Sequence, residues 1–149
     1  MVQFSRNVVK AFLVLIFISI GINGCKDDYT SSVPYVPVNF TVNPTNIIEL
    51  NIPGGSFYIP KVGYGGIIIF RDMTADGSIQ YLAYDATCTF EMLPDIHVDA
   101  DGSGTATCPV CKSQYILFGG DGSAAGGPSA EPLRQYKTYY SGGLIVVRN

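Results

Sequence analysis

Three cysteines in two short segments set the tightest limit on how this chain can fold. Cys88 stands alone, and twenty residues further on comes Cys108-Pro109-Val110-Cys111. Each segment follows a strand-like run, so each reads as a loop tip that a β-scaffold can bring opposite the other. A Cys-x-x-Cys pair with a distant third cysteine suits a metal knuckle, a redox dithiol or a disulfide-pinned loop.

The fourth cysteine has a different setting. Arg6 and Lys10 open the chain with positive charge, and residues 11–22 form an apolar run broken only by small residues. A membrane-spanning helix needs about 20 apolar residues, so this run suits the core of a signal peptide. It ends in Ile22-Asn23-Gly24-Cys25, which looks like a lipobox. In such signals the cysteine is lipidated and becomes the first residue of the mature protein. Lys26-Asp27-Asp28 resembles the tag that sends some outer-membrane lipoproteins to the cell surface. Acyl chains contribute about 0.8 kcal/mol per buried CH₂, so several of them anchor a protein stably.

These features divide the chain into a signal peptide (residues 1–24), a lipidated cysteine with a flexible tether (25–37) and one β domain (38–149). The tether expectation rests on Thr30-Ser31-Ser32, Pro34 and Pro37. Residues 1–24 hold two of the nine basic residues and none of the twelve acidic ones, which leaves a net charge of −5 on the remainder. That excess argues against nucleic acid or an anionic surface as partner. Export exposes the thiols to oxidising conditions and favours disulfides.

From Val38 onward, short runs of Ile, Val, Tyr, Phe and Thr alternate with Gly-rich turns, and no long helical period appears. Strands are expected at 39–42, 47–52, 57–60, 67–71, 79–85, 96–98, 105–107, 115–118, 133–140 and 144–148. The continuous run at 67–71 reads as a central strand, and Asp76-Gly77 as a tight turn. Short strands at this spacing predict an all-β fold, a small antiparallel sandwich or barrel. Asp99, Asp101 and Ser103 superficially suggest a calcium loop, but the glutamate that closes the 12-residue pattern is missing, so they read as a turn.

Cys88-Thr89-Phe90, then Cys108-Pro109-Val110-Cys111-Lys112-Ser113-Gln114-Tyr115, then Gly127-Pro128-Ser129 with Leu133 and Tyr136, together resemble the Rieske iron–sulfur domain. That family carries a Cys-x-His box, a Cys-x-x-His box followed by Ser and Tyr or Phe, and a Gly-Pro loop over the cluster. The likeness runs from about Ile67 to the end of the chain. It implies a Rieske-like β domain with two cysteine-bearing loops and a [2Fe–2S] cofactor, one iron held by two cysteines and the other by two histidines. Cys88 and Cys108 stand at the cysteine positions. Phe90 and Cys111 stand where the histidines would be, and phenylalanine has no lone pair for a metal. His97, the only histidine, has no spacing that aims it at the site.

Three readings follow. One is electron transfer through a [2Fe–2S] centre, making the chain a carrier related to Rieske oxidoreductase components. Against it stand Phe90 and a leader with no Arg-Arg pair, since folded iron–sulfur proteins usually leave the cytoplasm by a twin-arginine signal. The second is a zinc or mononuclear iron knuckle of Cys88, Cys108 and Cys111, one ligand short of the usual four. The third, preferred, is a cluster-free module at the cell envelope with no cofactor, serving a structural role or binding a protein or glycan. In it Cys88 pairs with Cys108, as their shared iron in the family implies, and Phe90 packs into the vacated site. Closing that loop of about 20 residues would contribute roughly 3 kcal/mol. Pairing of Cys108 with Cys111 is the alternative. No hydrolytic triad, phosphate cradle or helix-borne dithiol is legible, so the chain reads as a non-enzyme. Tyr84, Tyr115, Tyr136, Tyr139 and Tyr140 are expected to be half-buried strand residues.

Overall fold

The computed structural model describes residues 31–73 and 77–149. The leader, Cys25 and the Lys26-Asp27-Asp28 segment lie outside the described residues, as does Asp76 of the expected turn. Residues 31–149 form one compact unit.

Among the described residues, ten strands make two antiparallel sheets: β1 (Asn39–Val42), β2 (Ser56–Ile59), β3 (Ile67–Met73), β4 (Ile79–Asp85), β5 (Asp99–Ala100), β6 (Thr105–Thr107), β7 (Gln114–Ile116), β8 (Ala124–Gly126), β9 (Gln135–Ser141) and β10 (Leu144–Arg148). The larger sheet has the order β1-β10-β9-β4-β3-β2, and the smaller one β5-β6-β7-β8. The smaller sheet and both cysteine segments are thus inserted in the chain between β4 and β9, which pair with each other. The antiparallel all-β architecture expected from the sequence is present.

Strand β3 shows why its first four residues, Ile67 to Phe70, are uniformly apolar. Side chains alternate between strand faces, and both faces of β3 are covered. Ile68 and Phe70 join Leu82 and Tyr84 of β4, and Ala106, Tyr115 and Leu117 beneath the smaller sheet. Ile67 and Ile69 join Leu50, Ala83, Tyr136, Ile145 and Val147 within the larger one. A strand buried on both faces reads as an unbroken hydrophobic run. Cys88 and Cys108 are fully buried members of the first cluster.

Three expectations need correction. Residues 47–52 are not a strand: two 3-10 turns occupy Pro44–Asn46 and Ile48–Asn51. Asn43 caps the first by accepting the Thr45 N–H at 3.0 Å, and Pro44 has no N–H to give to a ladder. The segment 96–98 reduces to one bridge between Thr87 and His97, ahead of β5. The described part of the expected tether is packed: Val33 is buried, its carbonyl accepts from Arg134 Nη2 at 2.8 Å, and Ser32 donates to Glu131 Oε1 at 2.8 Å.

The buried carboxylate of Asp85, at the end of β4, fixes the approach to the first cysteine segment. It accepts from Tyr64 N–H at 2.8 Å, Gly65 N–H at 3.1 Å, Thr87 N–H at 3.0 Å, Tyr136 Oη at 2.7 Å and the Thr87 hydroxyl. A buried carboxylate is tolerable only when saturated with donors. These five hold the chain leaving β4 in one course, three residues before Cys88.

Candidate functional site

Both cysteine segments close on themselves in the same way. Met92 N–H donates to Cys88 carbonyl at 2.8 Å, and Lys112 N–H to Cys108 carbonyl at 3.1 Å. Met92 (φ 52°) and Lys112 (φ 63°) both take left-handed backbone, which is uncommon outside glycine and marks places where surroundings dictate the chain's course. Cys108 N–H is further tied to the Ser113 carbonyl at 2.9 Å. Each cysteine therefore sits at the start of a rigid turn, just past a strand.

The two turns bring their sulfurs to one point. The Sγ atoms of Cys88, Cys108 and Cys111 all lie within 4.8 Å of one another, and Cys88 Sγ is 3.5 Å from Cys111 Sγ. All three are free thiols. The expected Cys88–Cys108 disulfide is not formed: the turns hold three sulfurs around a common centre at non-bonded separation, whereas a disulfide needs about 2.05 Å. Phe90 is also not where it was expected. It lies at the apex of the first turn with 54 % of its surface exposed, so it does not fill the space beside the sulfurs.

Each sulfur has polar neighbours. Backbone N–H groups of Val110 and Cys111 point at Cys108. The Ser113 N–H serves Cys111, whose thiol donates to the Ser113 hydroxyl at 3.1 Å. That hydroxyl already accepts Ser129 N–H at 3.0 Å, so its own proton is free to turn toward a Cys111 thiolate. Cys88 Sγ lies 3.5 Å from Tyr115 Oη. Burial pushes the Cys108 thiol up to about 11, against the pull of its two N–H donors. At the less buried Cys111, burial also acts upward, but the Ser113 hydroxyl, the Ser113 N–H and the neighbouring thiols prevail and hold it below the ordinary thiol range.

The Gly-Pro segment covers both turns. Gly127 has φ 78°, and a Cβ there would stand 2.5 Å from Ser113 Cα, so only glycine permits this approach. Beyond it, Ser129 Oγ is 2.6 Å from Thr89 Oγ1. Thr89 also donates to the Glu131 carbonyl at 2.9 Å and contacts Tyr115 Oη at 3.0 Å. Thr89 thus joins the first turn, β7 and the Gly-Pro segment. Its place between Cys88 and Phe90 was the available signal, and sequence reasoning missed it because a lone threonine carries no distinctive spacing.

His97 does not reach the sulfurs. Its ring stacks on Tyr58 at 4.6 Å, and its Nε2 lies 3.5 Å from Asp99 Oδ1. Among the described residues no histidine or carboxylate joins the three sulfurs as a fourth member. Asp101 spends its carboxylate on its own turn, accepting Ser103 N–H at 2.8 Å and Thr105 N–H at 3.3 Å. Tyr84, Tyr115 and Tyr136 are fully buried rather than half-buried, and Tyr139 and Tyr140 are exposed.

The donor set fits a Rieske-type cluster poorly. That centre takes two imidazoles on its second iron; here one of those positions is an exposed phenyl ring and the other a thiol lying against Cys88. A single tetrahedral ion fits the spacing better, since sulfurs 2.3 Å from one metal lie about 3.8 Å apart.

No protein-family model and no curated protein matches the chain. Solved structures do. One is a chain of the complex of reduced oxygenase and oxidised ferredoxin in carbazole 1,9a-dioxygenase, 20 % identical, matching 74 % of this chain and 93 % of that one with a TM-score of 0.50. Another is the plasma membrane Rieske protein PetC3 from the cyanobacterium Synechocystis, 23 % identical, matching 77 % of this chain and 100 % of that one, also with a TM-score of 0.50. At these identities the likeness is one of fold: the chain has the fold of Rieske proteins.

Proposed function

We propose that the chain is a Rieske-fold module of the cell envelope that works without a Rieske cluster, as a binding or structural component. One observation carries this reading. Of the four positions that would ligate the cluster, Phe90 offers no donor atom, and Cys111 turns inward against Cys88. Phe90, Met92, Leu93 and Val110 expose apolar side chains on the two turns, which favours binding over a purely structural role. The lipobox-like Cys25 and the net negative charge support attachment to the outer membrane, with a protein or glycan rather than nucleic acid as partner.

A second reading is electron transfer through a [2Fe–2S] centre, with Cys111 replacing a histidine. The hydroxyl and N–H groups around the sulfurs favour it, because such groups stabilise negative charge on a sulfur centre. It still lacks a fourth ligand.

The test is to produce the chain from Lys26 onward, which includes the whole compact unit, in an iron-replete host. A colourless protein without acid-labile sulfide is expected. Two irons per chain with a broad visible absorption envelope would overturn the proposal and select electron transfer.

A further inference from the structure

We propose that Cys88, Cys108 and Cys111 form a three-thiolate site for one thiophilic d¹⁰ metal ion, of the zinc(II) or copper(I) kind. This rests on the cluster-free reading above and gives that module a ligand.

The sulfurs reach the site from two turns whose geometry does not depend on the metal. Each turn is closed by an N–H to the carbonyl of its own cysteine, at 2.8 and 3.1 Å, and the Gly127 segment clamps the second turn. A mutual separation within 4.8 Å, with one pair at 3.5 Å, brackets the spacing of sulfurs around a single ion. Small movements of side chains suffice to centre one.

The groups around the sulfurs suit thiolates. Cys108 receives two backbone N–H groups, Cys111 receives the Ser113 N–H and faces its hydroxyl, and Cys88 faces the Tyr115 hydroxyl. Tyr115 Oη accepts Thr89 N–H at 3.2 Å and lies 3.0 Å from Thr89 Oγ1, so its single proton is shared between Thr89 and Cys88. A disulfide would occupy two sulfurs, strand the third and need none of these donors. Donors to every sulfur are what a metal-thiolate site requires, because they offset the charge left after the ion binds.

The donor types choose the class of ion. Thiolates are soft and select zinc, copper(I) and iron–sulfur centres over magnesium or calcium. The cluster is disfavoured by Phe90, and no described carboxylate is in reach for a hard cation. Three protein ligands leave one position to water on a zinc ion, or a complete trigonal shell for copper(I). Most of the buried side chains in the two hydrophobic clusters belong to residues other than the three cysteines. The metal-free domain is therefore expected to stay folded, unlike a zinc finger, whose folding depends on its metal.

The experiment uses the chain from Lys26 onward with its three thiols reduced, titrated separately with zinc(II), cadmium(II) and copper(I) against chromophoric competitors. One ion per chain is expected, with sulfur-to-cadmium charge-transfer absorption and protection of all three thiols from alkylation. Cys88→Ser and Cys111→Ser should each abolish the three-thiolate absorption, while His97→Ala should bind like the parent. Ser113→Ala should weaken binding by about 10–100-fold, with thermal unfolding monitored to confirm that the variant is folded. Relative affinities for zinc(II) and copper(I) identify the ion. Absence of binding by the reduced protein would overturn the site while leaving the cluster-free reading intact. Binding that survives loss of a cysteine, or that needs His97, would overturn the ligand assignment. Iron with acid-labile sulfide would overturn both proposals.

Discussion

At the scale of single residues, the site is governed by unequal thiols. Cys111 is held low by Ser113 despite its partial burial, and Cys108 is pushed up to about 11 by its burial. Because the thiolate is the nucleophile, a lowered pKa moves the rise of the alkylation rate to lower pH. Iodoacetamide should modify Cys111 first, with a pH midpoint below that of a free cysteine peptide, and Ser113→Ala should move that midpoint upward. Site-resolved mass spectrometry over a pH series measures this, and faster modification of Cys108 would contradict it. Phe90 and Cys111 define a second test. The double variant Phe90→His with Cys111→His presents two cysteines and two histidines, the set that holds a Rieske centre. Reconstitution with iron and sulfide should give it a coloured cluster that the parent lacks. A colourless double variant would mean that Phe90 does not stand at a ligand position.

At the scale of elements, two strand ends and one covering segment do the positioning. Asp85 fixes the exit of β4 through its five donors, and β6 delivers Cys108 directly. Gly127 lets the covering segment reach Ser113. Gly127→Ala would place a Cβ 2.5 Å from Ser113 Cα at a φ of 78°. A loss of about 2–3 kcal/mol is expected, from left-handed strain together with overlap against backbone. Denaturant unfolding measures it, and the pH midpoint of Cys111 alkylation should rise as the Ser129 N–H to Ser113 bond that orients the Ser113 hydroxyl is lost. Unchanged stability would show that the segment can lift without cost. The 3-10 turns at 44–51 illustrate why some elements were illegible. Ile47, Ile48, Leu50 and Ile52 mimic a strand in sequence, yet Ile48 is exposed and Leu50 is buried in the core. The Asn43 cap and Pro44 decide the local backbone, and the apolar pattern follows from which side chains then meet the core.

At the scale of the whole molecule, the sequence carries a lipobox-like motif ending at Cys25 ahead of the Rieske-fold unit, and the proposed anchoring rests on that motif. Anchoring predicts that the full chain fractionates with membranes and incorporates labelled palmitate in a Gram-negative host. Cys25→Ala should lose the label and leave the membrane fraction by at least about tenfold, since removing the acyl chains removes their burial in the bilayer. Membrane retention of that variant would require another means of attachment. The described residues contain no helix long and apolar enough to cross a membrane.

What the sequence determined by itself was the chemistry available and the kind of scaffold. Alternating apolar runs with Gly turns specified an antiparallel β fold, the continuous run at 67–71 marked a central strand, and Cys88, Cys108 and Cys111 marked the two turns. These are local patterns, set by strand geometry and by residue type. Only the tertiary structure decided that the three sulfurs share one centre without a disulfide, that Phe90 faces solvent, that His97 stacks on Tyr58, and that Thr89 links the first turn to the covering segment. Each of those depends on how two turns twenty residues apart are oriented by different strands. Sequence spacing does not encode that angle; the packing of both sheets around one core does.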